Sequence, residues 1–166
     1  MEDKIKSFKE VCEICHKLQK EGKKIVFVHG FFDILHRGHA MLFQEAKKFG
    51  DILVVGVDAD KNAKMFKGYK RPVNELESRF YVLSQLISIN YIFEIPSFLS
   101  SELADGELLK IYKSLMPDVI ATNSKTDKYS SYKQKRADII NAEFIDIEAS
   151  YYSQSTTSII ETLSLH

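Results

Sequence analysis

Neither sign of charge is in excess in this sequence of 166 residues: 23 lysines and arginines face 23 aspartates and glutamates, for a formal net charge of zero. That balance leaves no overall field to draw in nucleic acid or an anionic membrane, so any affinity for phosphate has to come from a local site. Long apolar runs are missing too. No stretch approaches the roughly 20 apolar residues that cross a bilayer, and the opening Met1-Glu2-Asp3-Lys4 is charged where a secretory signal would become apolar. The expectation is a cytoplasmic protein that engages neither membrane nor nucleic acid. Internal repeats, low-complexity tracts and linker-like compositions are also absent, which predicts one domain over 1–166, large enough to bury a core without disulfides or metals.

Cysteine is scarce, with only Cys12 and Cys15. Followed by His16 they spell Cys-x-x-Cys-His, a haem-attachment pattern in an exported chain, but a zinc site would need a second ligand pair that the sequence lacks. Phe8, Val11, Cys15 and Leu18 recur at helical spacing between Lys, Glu and Gln, so Cys15 is expected to pack as a small hydrophobe. The first 22 residues read as an amphipathic helical segment, a helix over 4–20 closed by Gly22 beside basic residues.

What is present alternates. Continuous apolar runs at 25–28 and 52–57, shorter ones at 91–93 and 119–121, and a fifth at 144–147 predict strands, the first two buried on both faces. Helices are predicted over 40–50, 74–86, 99–115 and 132–141, with a last short one starting near Thr156. This is the order of an α/β, Rossmann-like domain with a mainly parallel five-stranded sheet and helices on both faces. The almost wholly polar 123–135 is expected to be the most mobile loop.

In such a sheet ligands bind beyond the carboxyl ends of the strands, at helix N-termini. Directly after the first strand come Gly30, Asp33, His36, Gly38 and His39, two imidazoles and two glycines at the mouth of a helix. That arrangement suits phosphate. Nucleotidyl transfer asks little covalent chemistry of a protein, because charge builds on the oxygens of the α-phosphorus and on departing pyrophosphate, where donors such as His36 and His39 act directly. The hydroxyl cluster Ser155-Thr156-Thr157 ahead of the last helix can cap it and receive anions as well.

The run Gly30-Phe31-Phe32-Asp33-Ile34-Leu35-His36-Arg37-Gly38-His39 resembles the GxFDxLHxGH block of the cytidylyltransferase-like nucleotidyltransferases. The stretch from Gly50 to Asp60 is similar to that family's second block. Lys67-Gly68, Arg71-Pro72 and Arg79 look like the KGxxRP and following arginine of its heptose-1-phosphate adenylyltransferase branch, and Ser155-Thr156-Thr157-Ser158 like its closing STT. The resemblance implies transfer of a nucleoside monophosphate from an NTP, ATP first, to a sugar phosphate such as heptose 1-phosphate. It implies catalytic roles for His36, His39 and Lys67, and nucleotide contacts from Gly30, Phe31, Phe32, Asp33, Gly38, Ser155, Thr156 and Thr157. Asp60, Arg71 and Arg79 become candidate substrate contacts, Asp60 toward ribose, acceptor or metal and Arg79 alternatively a surface ion-pair partner. Mg²⁺ is implied with the NTP, without a metal cage in the protein, and a homodimer is implied as the assembly.

Two places depart from the family. His29 stands where the heptose-type relatives carry a small polar residue, and the sequence gives it no role. After Pro117-Asp118 the chain reads Thr122-Asn123-Ser124-Lys125-Thr126-Asp127-Lys128-Tyr129 in place of the glycine-rich acceptor segment. Lys125, Lys128 and Lys133 there serve equally as phosphate contacts or as solvated charges. The acceptor therefore stays open, with CTP and glycerol 3-phosphate as the alternative pair, and a nucleotide-binding module without turnover as the alternative of another class.

Overall fold

The structure, a computed structural model, describes residues 4–147 and 159–162. Its strands are β1 (Ile25–Gly30), β2 (Ile52–Asp58), β3 (Tyr91–Ile95), β4 (Val119–Thr122) and β5 (Glu143–Asp146), and its helices α1 (Phe8–Lys20), α2 (Arg37–Ala46), α3 (Asp60–Lys67), α4 (Leu76–Ser84), α5 (Ala104–Leu115) and α6 (Ser130–Ile139). All five strands are parallel, in the order β3-β2-β1-β4-β5. The chain moves outward from β1 through β2 to β3 and then returns to the other side of β1. The reversal opens a crevice above the carboxyl ends of β1 and β4, where open α/β sheets bind ligands.

The continuous apolar runs are buried on both faces, as their lack of alternation predicts. Ile25 and Phe27 of β1 join Val11 and Cys15 of α1, Leu108, Ile111 and Tyr112 of α5 and Ala137 of α6 in one cluster. Val26 and Val28 point the other way, toward Phe43 and Ala46 of α2 and Leu83 of α4. Cys15 is fully buried and Cys12 packs beside the same cluster. Burial, chiefly, pushes their thiols up to about 12 and about 11, which makes both inert packing groups.

Several boundaries differ from the expectations, each for a local reason. Helix α1 starts at Phe8, not residue 4, because Ser7 and Glu10 close a capping box. The residues before it run along the edge of β3, with Lys6 N–H donating to the Ile92 carbonyl and Ile92 N–H to that of Lys4, and so cover a strand edge that would otherwise stand open. Helix α3 lacks an apolar period because its inward face carries the fully buried Asn62, which donates to Asp58 and the Pro96 carbonyl and accepts from Phe98 N–H. Helix α5 begins five residues later than expected, at Ala104, and α6 two residues earlier, at Ser130. The polar stretch 123–135, expected as the most mobile loop, is organised around Asp127, which accepts from Thr122, Tyr129 and Lys133. Residues 159–162 are helical; the expected start of that helix lies outside the described residues. No helix among them is long and apolar enough to cross a membrane.

Candidate active site

Beyond Gly30 the chain makes a tight turn rather than entering α2 directly. Phe32 takes the left-handed conformation, φ 48°, uncommon for a bulky residue and held only when its surroundings over-determine it. Its ring is buried edge-on against Phe43 and His39, at 5.0 and 5.4 Å between centroids. Asp33 is then aimed at the segment before α4: its carboxylate accepts from the N–H groups of Val73 and Asn74 at 2.8–2.9 Å and from Arg71 Nη1 at 3.1 Å. Asp33 thus clamps two loops of the crevice together.

His36 is the N-cap of α2, in extended conformation, and its Nδ1 accepts the Gly38 N–H at 3.1 Å. A neutral imidazole that accepts at Nδ1 carries its proton on Nε2, so His36 presents an N–H donor at the positive end of the helix. The His39 ring lies 4.0 Å from it. Burial lowers the pKa of His36; burial first, then His36, lowers that of His39 to about 3, against the opposing hydrogen bond to the Ile34 carbonyl. His36 is a neutral donor at pH 7 and His39 a neutral imidazole, neither of them a standing cation.

One cavity of about 630 Å³ spans the carboxyl end of the sheet, and Gly30, Phe31, Phe32, Asp33, His36, Gly38, His39, Lys67 and Arg71 all line it. Lys67, at the end of α3, sits over the Phe31 ring at 5.5 Å. Its pKa is lowered by burial first, then by Lys128, with Arg71 adding to the repulsion and Asp127 opposing it. A cluster of cations that repel one another beside a helix N-terminus is what a polyphosphate would relieve.

Two expected substrate contacts stand elsewhere. Arg79 is 1% exposed and donates to the carbonyls of Phe31, Asn74 and Asp58 and to Asp60, at 2.6–3.1 Å. It is neither a surface ion-pair partner nor free for phosphate, and neither it nor Asp60 lines the cavity. Its guanidinium gathers the ends of β1 and β2 and the loop before α4 into one body. Ala59 is the N-cap of α3, and Asp60 follows in its first turn. Ser155, Thr156 and Thr157 lie outside the described residues.

The sequence reading missed the other wall. Lys133 is 5% exposed and donates to the His29 carbonyl at 2.7 Å and to Asp127 at 2.7 Å; it is not a solvated charge. Arg136, one turn on, pairs with Asp105 and stacks on Tyr112, whose hydroxyl shares a 2.9 Å hydrogen bond with His29 Nε2. Asp58 ends β2 buried, and desolvation raises its pKa to about 6. The available signal was spacing: Lys133, Arg136, Ala137 and Ile140 fall on one helical stripe, basic where apolar residues were expected.

The cytidylyltransferase-like family model matches residues 27–162, and the chain belongs to that family of nucleotidyltransferases. Among its relatives are the bifunctional proteins HldE of a Nitratiruptor species, 37% identical over 98% of this chain, and of Aliarcobacter butzleri, 35% identical over 96%. The chain spans 32% and 31% of those two proteins. The crystal structure of the lipopolysaccharide core biosynthesis protein from Thermoplasma volcanium superposes with a TM-score of 0.60 at 27% identity, over 76% of this chain and 98% of that one. Pantoate-beta-alanine ligase from Francisella tularensis shares the fold, at a TM-score of 0.64 and 18% identity over 97% of this chain and 77% of that one.

Proposed function

We propose that this chain transfers a nucleoside monophosphate from an NTP, ATP in the first instance, to a sugar phosphate such as heptose 1-phosphate, releasing pyrophosphate. The observation that carries this reading is the neutral His36–His39 pair at the N-terminus of α2, sharing one cavity with the mutually repelling Lys67, Lys128 and Arg71. Identity to the HldE proteins and likeness to a lipopolysaccharide core biosynthesis protein favour a sugar phosphate as acceptor.

In the reaction a phosphate oxygen of the acceptor forms a bond to the α-phosphorus, and the bond from that phosphorus to the bridging oxygen of the β-phosphate breaks, its electron pair leaving with pyrophosphate. His36, donating from Nε2, and His39 stabilise charge as it develops on the α-phosphate and leaving group. Lys67 and Arg71 hold phosphate oxygens in line, Arg71 with its orientation fixed by Asp33. Mg²⁺ brought in with the NTP would supply Lewis-acid neutralisation of the polyphosphate. Among the described residues no three His, Cys, Asp or Glu side chains converge as a metal cage.

The test is pyrophosphate release with Mg²⁺, crossing the four NTPs with sugar, alditol and cofactor phosphates, and the His36→Ala/His39→Ala protein as blank. Release that requires ATP and a sugar 1-phosphate is the expected result. Release with CTP and glycerol 3-phosphate instead replaces the substrate pair, and NTP binding without release from any acceptor rejects turnover.

A further inference from the structure

The single cavity is lined from both faces of the sheet, as a lobe toward α2 and a lobe toward α5 and α6. Successive residues of a strand face opposite sides, and in β1 Ile25 and Phe27 face α1, α5 and α6 while Val26 and Val28 face α2 and α4. His29 therefore points to the α5/α6 side, where it stacks on Phe27 and meets Tyr112. By the same alternation Asp58 follows Val54 and Gly56 onto that side. The paired histidines of α2 lie with Phe32 and Phe43 on the other. The chemistry assigned to His36, His39, Lys67 and Arg71 uses neither His29 nor Arg136, although Lys67, beside Phe66 and Lys128, reaches the same α5/α6 lobe.

That lobe carries unspent hydrogen-bonding capacity. His29, 7% exposed, has Nε2 engaged by Tyr112 but no partner for Nδ1; Arg136, 5% exposed, has Nε and Nη2 engaged by Asp105 but no partner for Nη1. Both residues line the cavity. Leaving such groups buried and unpaired is costly, and here the backbone around them is fixed, because Lys133 ties the His29 carbonyl to Asp127. Charges on this wall are matched in pairs, Lys133 with Asp127 and Arg136 with Asp105. Beside those pairs, His29 and Arg136 offer hydrogen bonds to a body rich in oxygen, with Phe98 and Leu108 as an apolar wall.

We propose that His29 and Arg136 determine acceptor specificity by hydrogen bonding the hydroxyls of the acceptor's sugar body in the α5/α6 lobe, while its phosphate reaches across to the α2 lobe. The inference rests on the nucleotidyl-transfer reading and adds residues to it. His29 stands at a position where the sequence departs from the pattern it resembles.

Isothermal titration tests it with four ligands: ATP, hexose and heptose 1-phosphates, and inorganic phosphate, which keeps the anion and lacks the body. The wild-type protein is expected to prefer at least one sugar 1-phosphate over phosphate. Arg136→Lys and His29→Leu should each reduce that preference at least tenfold and leave ATP affinity within twofold. Where either variant fails to fold, Tyr112→Phe takes its place, since it removes only the hydroxyl that holds His29. An intact preference in the variants, an equal loss of ATP affinity, or no preference in the wild type overturns the proposal. A preference that behaves as expected without pyrophosphate release upholds the lobe and counts against nucleotidyl transfer, so the two failures are distinct.

Discussion

At the scale of single residues, the proposed chemistry would work through neutral groups placed where charge will appear. His36 spends Nδ1 on capping α2 and so commits its proton to Nε2, while His39 is kept uncharged by burial and by its neighbour. A standing imidazolium would bind triphosphate before and after reaction alike; a neutral donor fixed in place gains most where negative charge grows. His39→Ala should accordingly lower kcat by at least ~100-fold with little change in melting temperature, measured by pyrophosphate release beside a thermal scan. Near-normal turnover would remove His39 from the catalytic set. The contiguous block from Gly30 to His39 was legible because all its parts lie within one turn and one helix start. Arg79 was not: its four acceptors come from three separate segments, and sequence spacing carries no sign of such convergence. The burial of Lys133 and Arg136 was hidden for another reason, since buried basic residues look the same in a sequence as solvated ones.

At the scale of elements, the strands were read correctly from their apolar runs, because a strand buried on both faces leaves little room for another pattern. Helix α3 escaped the sequence reading and α6 was placed only to within two residues at each end, both where polar residues do the packing. Asn62 in α3 and Lys133 with Arg136 in α6 occupy inward positions that an amphipathic pattern reserves for apolar side chains. Gly50 illustrates a demand that composition does reveal, though not its cause. Its φ is −170°, ordinary extended backbone, yet a Cβ there would lie 2.7 Å from both the Lys24 carbonyl oxygen and Val26 Cγ2. The absent side chain lets the turn from α2 reach β2 close beside the start of β1, where Asp51 N–H donates to that same carbonyl at 2.8 Å. Gly50→Ala should cost about 1–3 kcal/mol of stability through forced backbone movement, readable as a lower urea midpoint with an unchanged slope. An unchanged midpoint would show that the β1–β2 junction yields freely.

At the scale of the whole molecule, burying three imidazoles has a thermodynamic consequence. In the unfolded chain each takes its proton near 6.5, whereas in the folded chain His39 does so only at about 3, His29 well below the ordinary value and His36 below it. On acidification the unfolded state therefore binds protons that the folded state refuses, and stability falls as pH drops through the unfolded value. Asp58 acts in reverse, protonating at about 6 in the fold against an ordinary 3.8, and offsets one of the three. The net sign is a loss of stability from pH 7 toward 5, of about 1.4 kcal/mol per pH unit for each net proton. Urea midpoints at pH 7, 6 and 5 should fall in that order; a flat or rising series would mean the histidines are not buried as described.

The class of the molecule was legible in an ordered set of motifs, whereas its acceptor depends on a wall whose members are scattered from His29 to Arg136. The direct test of the central claim follows the α-phosphorus itself. With ATP labelled at the α-phosphate and heptose 1-phosphate as acceptor, label should pass to the sugar product, and with γ-labelled ATP all label should leave as pyrophosphate. Label from the γ position on the sugar would mean phosphoryl rather than nucleotidyl transfer and would contradict it.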